Sequence, residues 1–241
     1  MHLKTFLKMK ISSLAKLVLL LLLFTYPVKA LETTDHLIGK DGATQSGTQD
    51  LSLMSSLPNF DVFQPCSPIE TIKILNYIIK SGKPSYVRIC RNEVGEVYNK
   101  NFKFIPGIHK ELIKSKFNTI ISSGPLIFNC IEATKILRKK KIQAGVINVN
   151  SLKPFNFKSM ERLLKNKKNV LVVEDHVSHG GLSSLIYETI AKSKLNKINV
   201  KSLNLDEKFS ESGTPSDLER ANGFDPKSIA KIIYEKFKLA K

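Results

Sequence analysis

The sequence predicts an α/β fold, its second half a mostly parallel sheet covered by helices on both faces. Two observations carry that expectation. From Asn118 onward, short apolar runs alternate with segments of helical spacing, the pattern of βα units joined by right-handed crossovers. Within that series, NVLVVEDHVSHGGLSSLIY (Asn169 to Tyr187) joins an apolar run, an acidic-histidine corner, a glycine pair and an amphipathic segment. Val170 to Val173 suit a strand buried on both faces. Gly180 and Gly181 permit a tight turn and close backbone approach. Ser183 and Ser184 stand near the start of the next helix, where free N–H groups and the dipole can attract an anion.

In chain order, residues 1–30 come first. Lys4, Lys8, Lys10 and Lys16 precede LVLLLLLF (Leu17 to Phe24) and TYPVKA, the three regions of a secretory signal peptide with Val28 and Ala30 at the cleavage positions. That apolar core is too short for an ordinary membrane span. The alternative is a buried strand over Leu17 to Phe24. From Gly39 the reading is a glycine loop, a helix over Gln49 to Leu57, a strand over Asp61 to Gln64 and a helix over Pro68 to Lys80. In that helix Ile69, Ile72, Ile74, Leu75, Ile78 and Ile79 recur at helical spacing, and Lys83 and Pro84 end it. Ser85 to Ile89 gives a strand. Residues 92–117, with weak periodicity, charges, glycine and Pro106, read as a linker between a domain at 31–91 and one at 118–241. The second domain is expected to run through a strand at Thr119 to Ser122, a helix at Leu126 to Lys140, a strand at Ala144 to Asn148 and a helix at Lys158 to Lys165. The Asn169 to Tyr187 unit, a strand at Ile198 to Leu203 and a helix at Pro226 to Phe237 complete it.

With 241 residues and 42% hydrophobic content, the chain can bury a substantial core. A formal charge of +17 raises the question of nucleic acid. The lysines are dispersed, however, and the runs at Lys114, Arg138 and Lys165 fall at helix ends or loops, where cations complement the helix dipole. No nucleic-acid motif accompanies them, so nucleic acid is not the expected partner. Cys66, Cys90 and Cys130 have no CxxC spacing and read as buried thiols rather than disulfides or zinc ligands. His176 and His179, with Glu174 and Asp175, lack a further ligand at a known position, so no metal site is assigned.

The pattern EDHxxxGGLSS, followed at Phe209 by FSESGTPSDLERANGFDPKSI, resembles the C-terminal domain of transketolase-type enzymes. An independent segment, GKDGATQSGTQDLSLMSSLPNFDVFQP (Gly39 to Pro65), is similar to the family segment that usually reads GxDGxTHQ followed by a helix and PN. Ser67 to Arg91 resembles the helix and strand that close the family's pyrimidine-binding domain. The resemblance implies a partial thiamine-diphosphate pyrimidine-binding-type domain followed by a Rossmann-like, mostly parallel three-layer C-terminal domain.

It also implies a chemistry: transfer of two-carbon ketol units between sugar phosphates, with thiamine diphosphate supplying the carbanion chemistry. In the family the cofactor's diphosphate and a divalent metal such as magnesium are held by a separate domain with a GDG motif, which this sequence does not carry. The glutamate that activates the pyrimidine belongs to the first half of the pyrimidine-binding domain, and Glu32 stands in no matching context. Neither cofactor nor metal is therefore expected on this chain alone. What the resemblance leaves is part of the substrate pocket. Asp41 matches the aspartate that contacts a substrate hydroxyl, and Arg91 matches the arginine that holds the substrate phosphate, for which a guanidinium is chemically suited. Arg88, on the opposite face of the strand, is the weaker candidate. Gln45 replaces the family histidine of the GxDGxTH loop, and an amide cannot shuttle protons near neutral pH as imidazole can. His36 lies too close to Asp41 to match the upstream family histidine, and Ser55 stands where the family has arginine. No catalytic residue is assigned with these losses. Glu174, His176, Gly180 and Gly181 are candidates for interface or turn roles.

The expected protein is then a C-terminal fragment or subunit of a transketolase-like enzyme, truncated and inactive alone, in a homo- or hetero-oligomer. Its partner is an N-terminal subunit binding thiamine diphosphate, or an intact relative; its ligands are sugar phosphates. Alternatives are a non-catalytic dimerising or regulatory protein, and a subunit of the 1-deoxyxylulose 5-phosphate synthase or 2-oxoacid dehydrogenase β type. The resemblance implies a cytoplasmic location, and residues 1–30 imply export or membrane association.

Overall fold

The computed structural model describes residues 30–32, 47–195, 197–206 and 212–237, and their elements build two sheets. The first contains β1 (Ala30–Glu32), β2 (Asp61–Phe63), β3 (Ser85–Arg88) and β7 (Ser151–Lys153), in the order β1-β3-β2-β7. β1 and β2 run parallel to β3, and β7 is antiparallel to β2. Helices α1 (Asp50–Ser56) and α2 (Pro68–Ser81) belong to this part. α2 begins with Pro68 at its first position and ends at Gly82, whose φ of 68° places it in the left-handed region and whose N–H reaches the Ile78 carbonyl. Ile74 and Ile78 of α2 pack with Phe63 and Val87, while Leu51 of α1 packs with Phe60, Val62, Tyr86 and Leu152. Adjacent residues of β2 and β3 thus supply two separate clusters, as a strand's alternation requires.

The second sheet has the order β4-β6-β5-β8-β9, from β4 (Lys110–Ile113), β5 (Asn118–Ser122), β6 (Ala144–Asn148), β8 (Asn169–Val173) and β9 (Asn199–Leu203). All neighbours are parallel except β4, which runs antiparallel to β6. The helices are α3 (Leu126–Lys139), α4 (Phe157–Leu164), α5 (Leu182–Lys192), α6 (Pro215–Ala221) and α7 (Pro226–Lys236). Successive apolar residues divide between the two faces. Ile120, Val146, Leu171 and Val173 meet Leu126, Cys130, Phe224, Ile229 and Ile233 on one side. Ile121, Ile147, Val170 and Val172 meet Met160, Leu164, Leu182 and Ile186 on the other. Three helices start on a side-chain cap: Asn156 accepts from Ser159 N–H, Thr214 from Asp217 N–H, and Asp225 from Lys227 and Ser228 N–H. Arg138 and Lys139 fall in the last turn of α3, as the dipole reading of the basic run expects.

The fold class is as the sequence predicts, with a strand and a crossing it does not. The segment 92–117, read as a linker, contains β4, whose half-exposed residues give no clean alternation. β7 leaves the second half of the chain to pair with β2, so main-chain hydrogen bonds within the first sheet join the two halves of the chain. Three residues are too short a run for sequence periodicity to register. The helix α6 is a further element not anticipated. The leucine run Leu17 to Phe24 lies outside the described residues. Among the described residues no helix is long and apolar enough to cross a membrane.

Candidate functional site

The corner at the carboxyl end of β8 shows how the sequence builds its polar centre. Glu174, Asp175 and His176 are all buried. The Glu174 carboxylate turns onto the start of α5, accepting from Leu182 N–H (2.6 Å) and Ser183 N–H (3.1 Å). It therefore occupies, from within the chain, the N–H groups that could have attracted an external anion. Burial pushes the Glu174 carboxyl up to about 7 against these two hydrogen bonds. The glycine pair makes the arrangement possible: Gly180 has φ 69°, and a Cβ on Gly181 would lie 2.3 Å from Glu174 Oε2 and 2.7 Å from His176 Nδ1. Glu174 and His176, expected at a boundary or turn, make contacts inside the chain because both are enclosed by it.

His176 reaches the first half of the chain. Its Nε2 accepts from Ser52 N–H at 3.3 Å, so Nδ1 carries the proton and donates to the Val177 carbonyl at 2.8 Å. Val177 N–H donates to the Thr48 carbonyl. Burial holds the imidazole below its ordinary range, the Val177 carbonyl opposing. A histidine whose folded pKa lies below its unfolded value stabilises the fold above the unfolded value near 6.5, and that contribution is lost as pH falls. Glu174 has the opposite sign, its contribution falling as pH rises from about 4.5 to about 7. The two are separable by variant. The cost of His176→Gln, from urea unfolding at pH 7.5 and 5.5, is expected to be smaller at the lower pH. An equal cost at both values would mean that the folded state does not hold His176 neutral.

Asp175 completes the corner by receiving Arg88, the largest fully buried side chain among the described residues. Arg88 Nη1 donates to Asp175 Oδ1 and to the Asp175 carbonyl, both at 3.2 Å. Nη2 donates to that carbonyl and, at 2.8 Å, to the Gly47 carbonyl, and Nε lies 3.5 Å from Asp50 Oδ2. Gln64 bridges the same groups, donating to Asp175 Oδ1 and accepting from Ser123 Oγ at 2.6 Å. In a doubly wound sheet the crevice beyond the strand ends, where the strand order reverses, is the usual ligand site. In this chain Gln64 enters it against Ser123 and Gly124, beyond the end of β5, and meets Asp175 beyond β8. A second buried contact joins the halves: Glu70 accepts from Cys66 N–H (2.7 Å), Asn148 Nδ2 (2.9 Å) and Asn150 Nδ2 (2.6 Å). Burial raises the Glu70 carboxyl, its hydrogen bonds opposing.

Arg91 is exposed beyond the end of β3. Its chain neighbours Cys90 and Asn92 line two adjoining clefts of about 560 and 490 Å³. The larger runs to Asn129, Ser216 and Glu219, and the smaller to Pro65, Ser67 and Ile72. Asp41 and Gln45 lie outside the described residues. Sorting the arginines by strand face undervalues Arg88, because all four residues of β3 are buried and both faces are interior. The available signal was a guanidinium inside the apolar run SYVRI. The described residues contain no group of three or more His, Cys, Asp or Glu side chains that could hold a metal ion.

Comparison with known proteins agrees with this arrangement. Residues 18–96 match the family model of the transketolase pyrimidine binding domain, and residues 113–229 match that of the transketolase C-terminal domain. The chain belongs to the transketolase family. It is 27% identical over 198 residues to a protein named as one subunit of an apulose-4-phosphate transketolase, from Phocaeicola vulgatus, covering 82% of this chain and 62% of that one. It is 31% identical over 204 residues to a putative transketolase C-terminal section from Methanocaldococcus jannaschii, covering 83% and 63%. A solved structure described as a split gene transketolase, inactive beta4 tetramer, superposes with a TM-score of 0.80 at 26% identity, covering 95% of this chain and 75% of that one. The chain thus spans less than two thirds of the length of these two curated relatives. The transketolase match to residues 18–96 begins inside the leucine run, and β1 starts at Ala30, the residue at which the signal-peptide reading places cleavage.

Proposed function

We propose that this chain is the C-terminal subunit or section of a transketolase-type enzyme. In this reading a partner carrying the cofactor-binding domain, or an intact relative, supplies thiamine diphosphate and its divalent metal. The assembly is an oligomer that moves two-carbon ketol units between sugar phosphates in the cytoplasm, and the isolated chain is inactive. The observation that carries the reading is the near-complete superposition on a chain described as part of a split transketolase. The cleft beside Arg91 supports the substrate assignment: Asn92, Asn129 and Ser216 line it with polar side chains, and a guanidinium binds phosphate through parallel hydrogen bonds. Asp41 is proposed as a contact to a substrate hydroxyl.

Calorimetry with the purified chain tests the division of labour. No tight binding of thiamine diphosphate with magnesium is expected from the chain alone, and tight binding together with ketol transfer is expected once a co-purifying cofactor-domain chain is added. Tight binding by the chain alone would overturn it. Gln45, standing where the family has histidine, favours a second reading in which the subunit has lost catalysis and keeps its association. Cofactor binding in the mixture without turnover would select that reading.

A further inference from the structure

The buried Arg88 to Asp175 contact has a directional consequence for the cleft. Burying an ion pair is not an efficient way to gain stability, since apolar side chains of similar volume often do as well; what such a pair can do well is fix registry. Arg88 is placed for that task. Its planar guanidinium binds two separate pieces of chain: Asp175 beyond β8, and the segment entering α1 through the Gly47 carbonyl and Asp50. Asp50 is itself held by the Tyr86 hydroxyl at 2.5 Å, from the same strand as Arg88. The fork of donors sets orientation as well as position. Arg88 is also the last residue of β3. From it the chain passes through Ile89 and Cys90 to Arg91, a distance of at most about 10 Å for three residues. The segment beyond, Asn92 to Val94, walls both clefts.

We infer that Arg88 and Asp175 are positioning residues, through which the C-terminal domain fixes the exit of β3 and the cleft wall that carries Arg91. The part of the inference that concerns Arg91 rests on the proposed substrate reading; the clamp itself does not. The same corner holds Ser52 through His176 and Thr48 through Val177, so the second domain grips the segment 47–52 and the β3 exit together. The C-terminal domain then sets the geometry of substrate binding through this clamp as well as through the residues with which it lines the cleft.

The test uses the full chain and its partner assembly, with two variants that weaken the clamp from opposite sides. Asp175→Asn keeps size and the main-chain acceptor while removing the charge. Asp50→Asn likewise keeps size while removing the charge, at a less buried position where folding is less at risk. Hydrogen exchange read by mass spectrometry is expected to accelerate about tenfold at residues 89–95 in each variant, with α7 unchanged. In the assembly the Michaelis constant for a phosphorylated sugar is expected to rise about tenfold, kcat changing little, and this effect should vanish in an Arg91→Ala background. Unchanged exchange at 89–95 in both variants would overturn the clamp, whatever the activity shows. Faster exchange with equal losses on phosphorylated and unphosphorylated sugars would uphold the clamp and reject the phosphate role of Arg91.

Discussion

Arg88→Ala is expected to lower the free energy of unfolding by about 3 to 5 kcal/mol, the range for removing one partner of a buried ion pair. Asp175 would be left in an interior site with the neutral Gln64 amide donating to Oδ1 in place of the guanidinium, and the Gly47 carbonyl would lose its guanidinium donor. The largest fully buried side chain would also leave a void. Urea denaturation reads the loss as a lower midpoint at constant slope. Arg88→Lys should fall between wild type and alanine, since an ammonium keeps the charge but lacks the planar fork that spans Asp175 and Gly47. A cost below about 1 kcal/mol would put the contact in the class of solvated surface pairs and remove its claim to hold the halves together.

Glu70→Ala is expected to cost about 2 kcal/mol or more, from the Cys66 N–H and the Asn150 amide left without their acceptor at about 1 to 3 kcal/mol each, while Asn148 Nδ2 keeps the Tyr98 hydroxyl. Glu70 is fully buried, and its donors come from both halves of the chain: Cys66 N–H at the start of α2, and the amides of Asn148 and Asn150 around the end of β6. Glu70→Gln should cost less, because the neutral amide retains an acceptor and escapes the desolvation that raises the Glu70 carboxyl. Thermal unfolding of the two variants side by side checks the order. A glutamine variant as unstable as the alanine one would show that the negative charge, rather than an acceptor of that shape, satisfies the amides.

These two side chains mark where sequence reading stopped. The α/β class, the order of most elements and the tight glycine turn at Gly180 were legible because each depends on local pattern. Val170 to Val173 read as a doubly covered strand, and the structure places alternate members on two cores. The family segments around Asp41, Arg91 and Glu174 to Gly181 were legible because each is contiguous. β4 and β7 were not, since one has a ragged burial pattern and the other has three residues whose partner strand lies far back in the chain.

The sequence by itself determined the layers, the turn chemistry and the family, all properties of neighbouring residues. Only the tertiary structure decided which charges would be buried and with whom. Arg88 and Asp175 are 87 residues apart, and Glu70 meets Asn148 and Asn150 across 78 and 80. No periodicity encodes such a pairing. It exists because folding removes water from both groups at once, and a desolvated charge must find its opposite or a set of hydrogen bonds within reach.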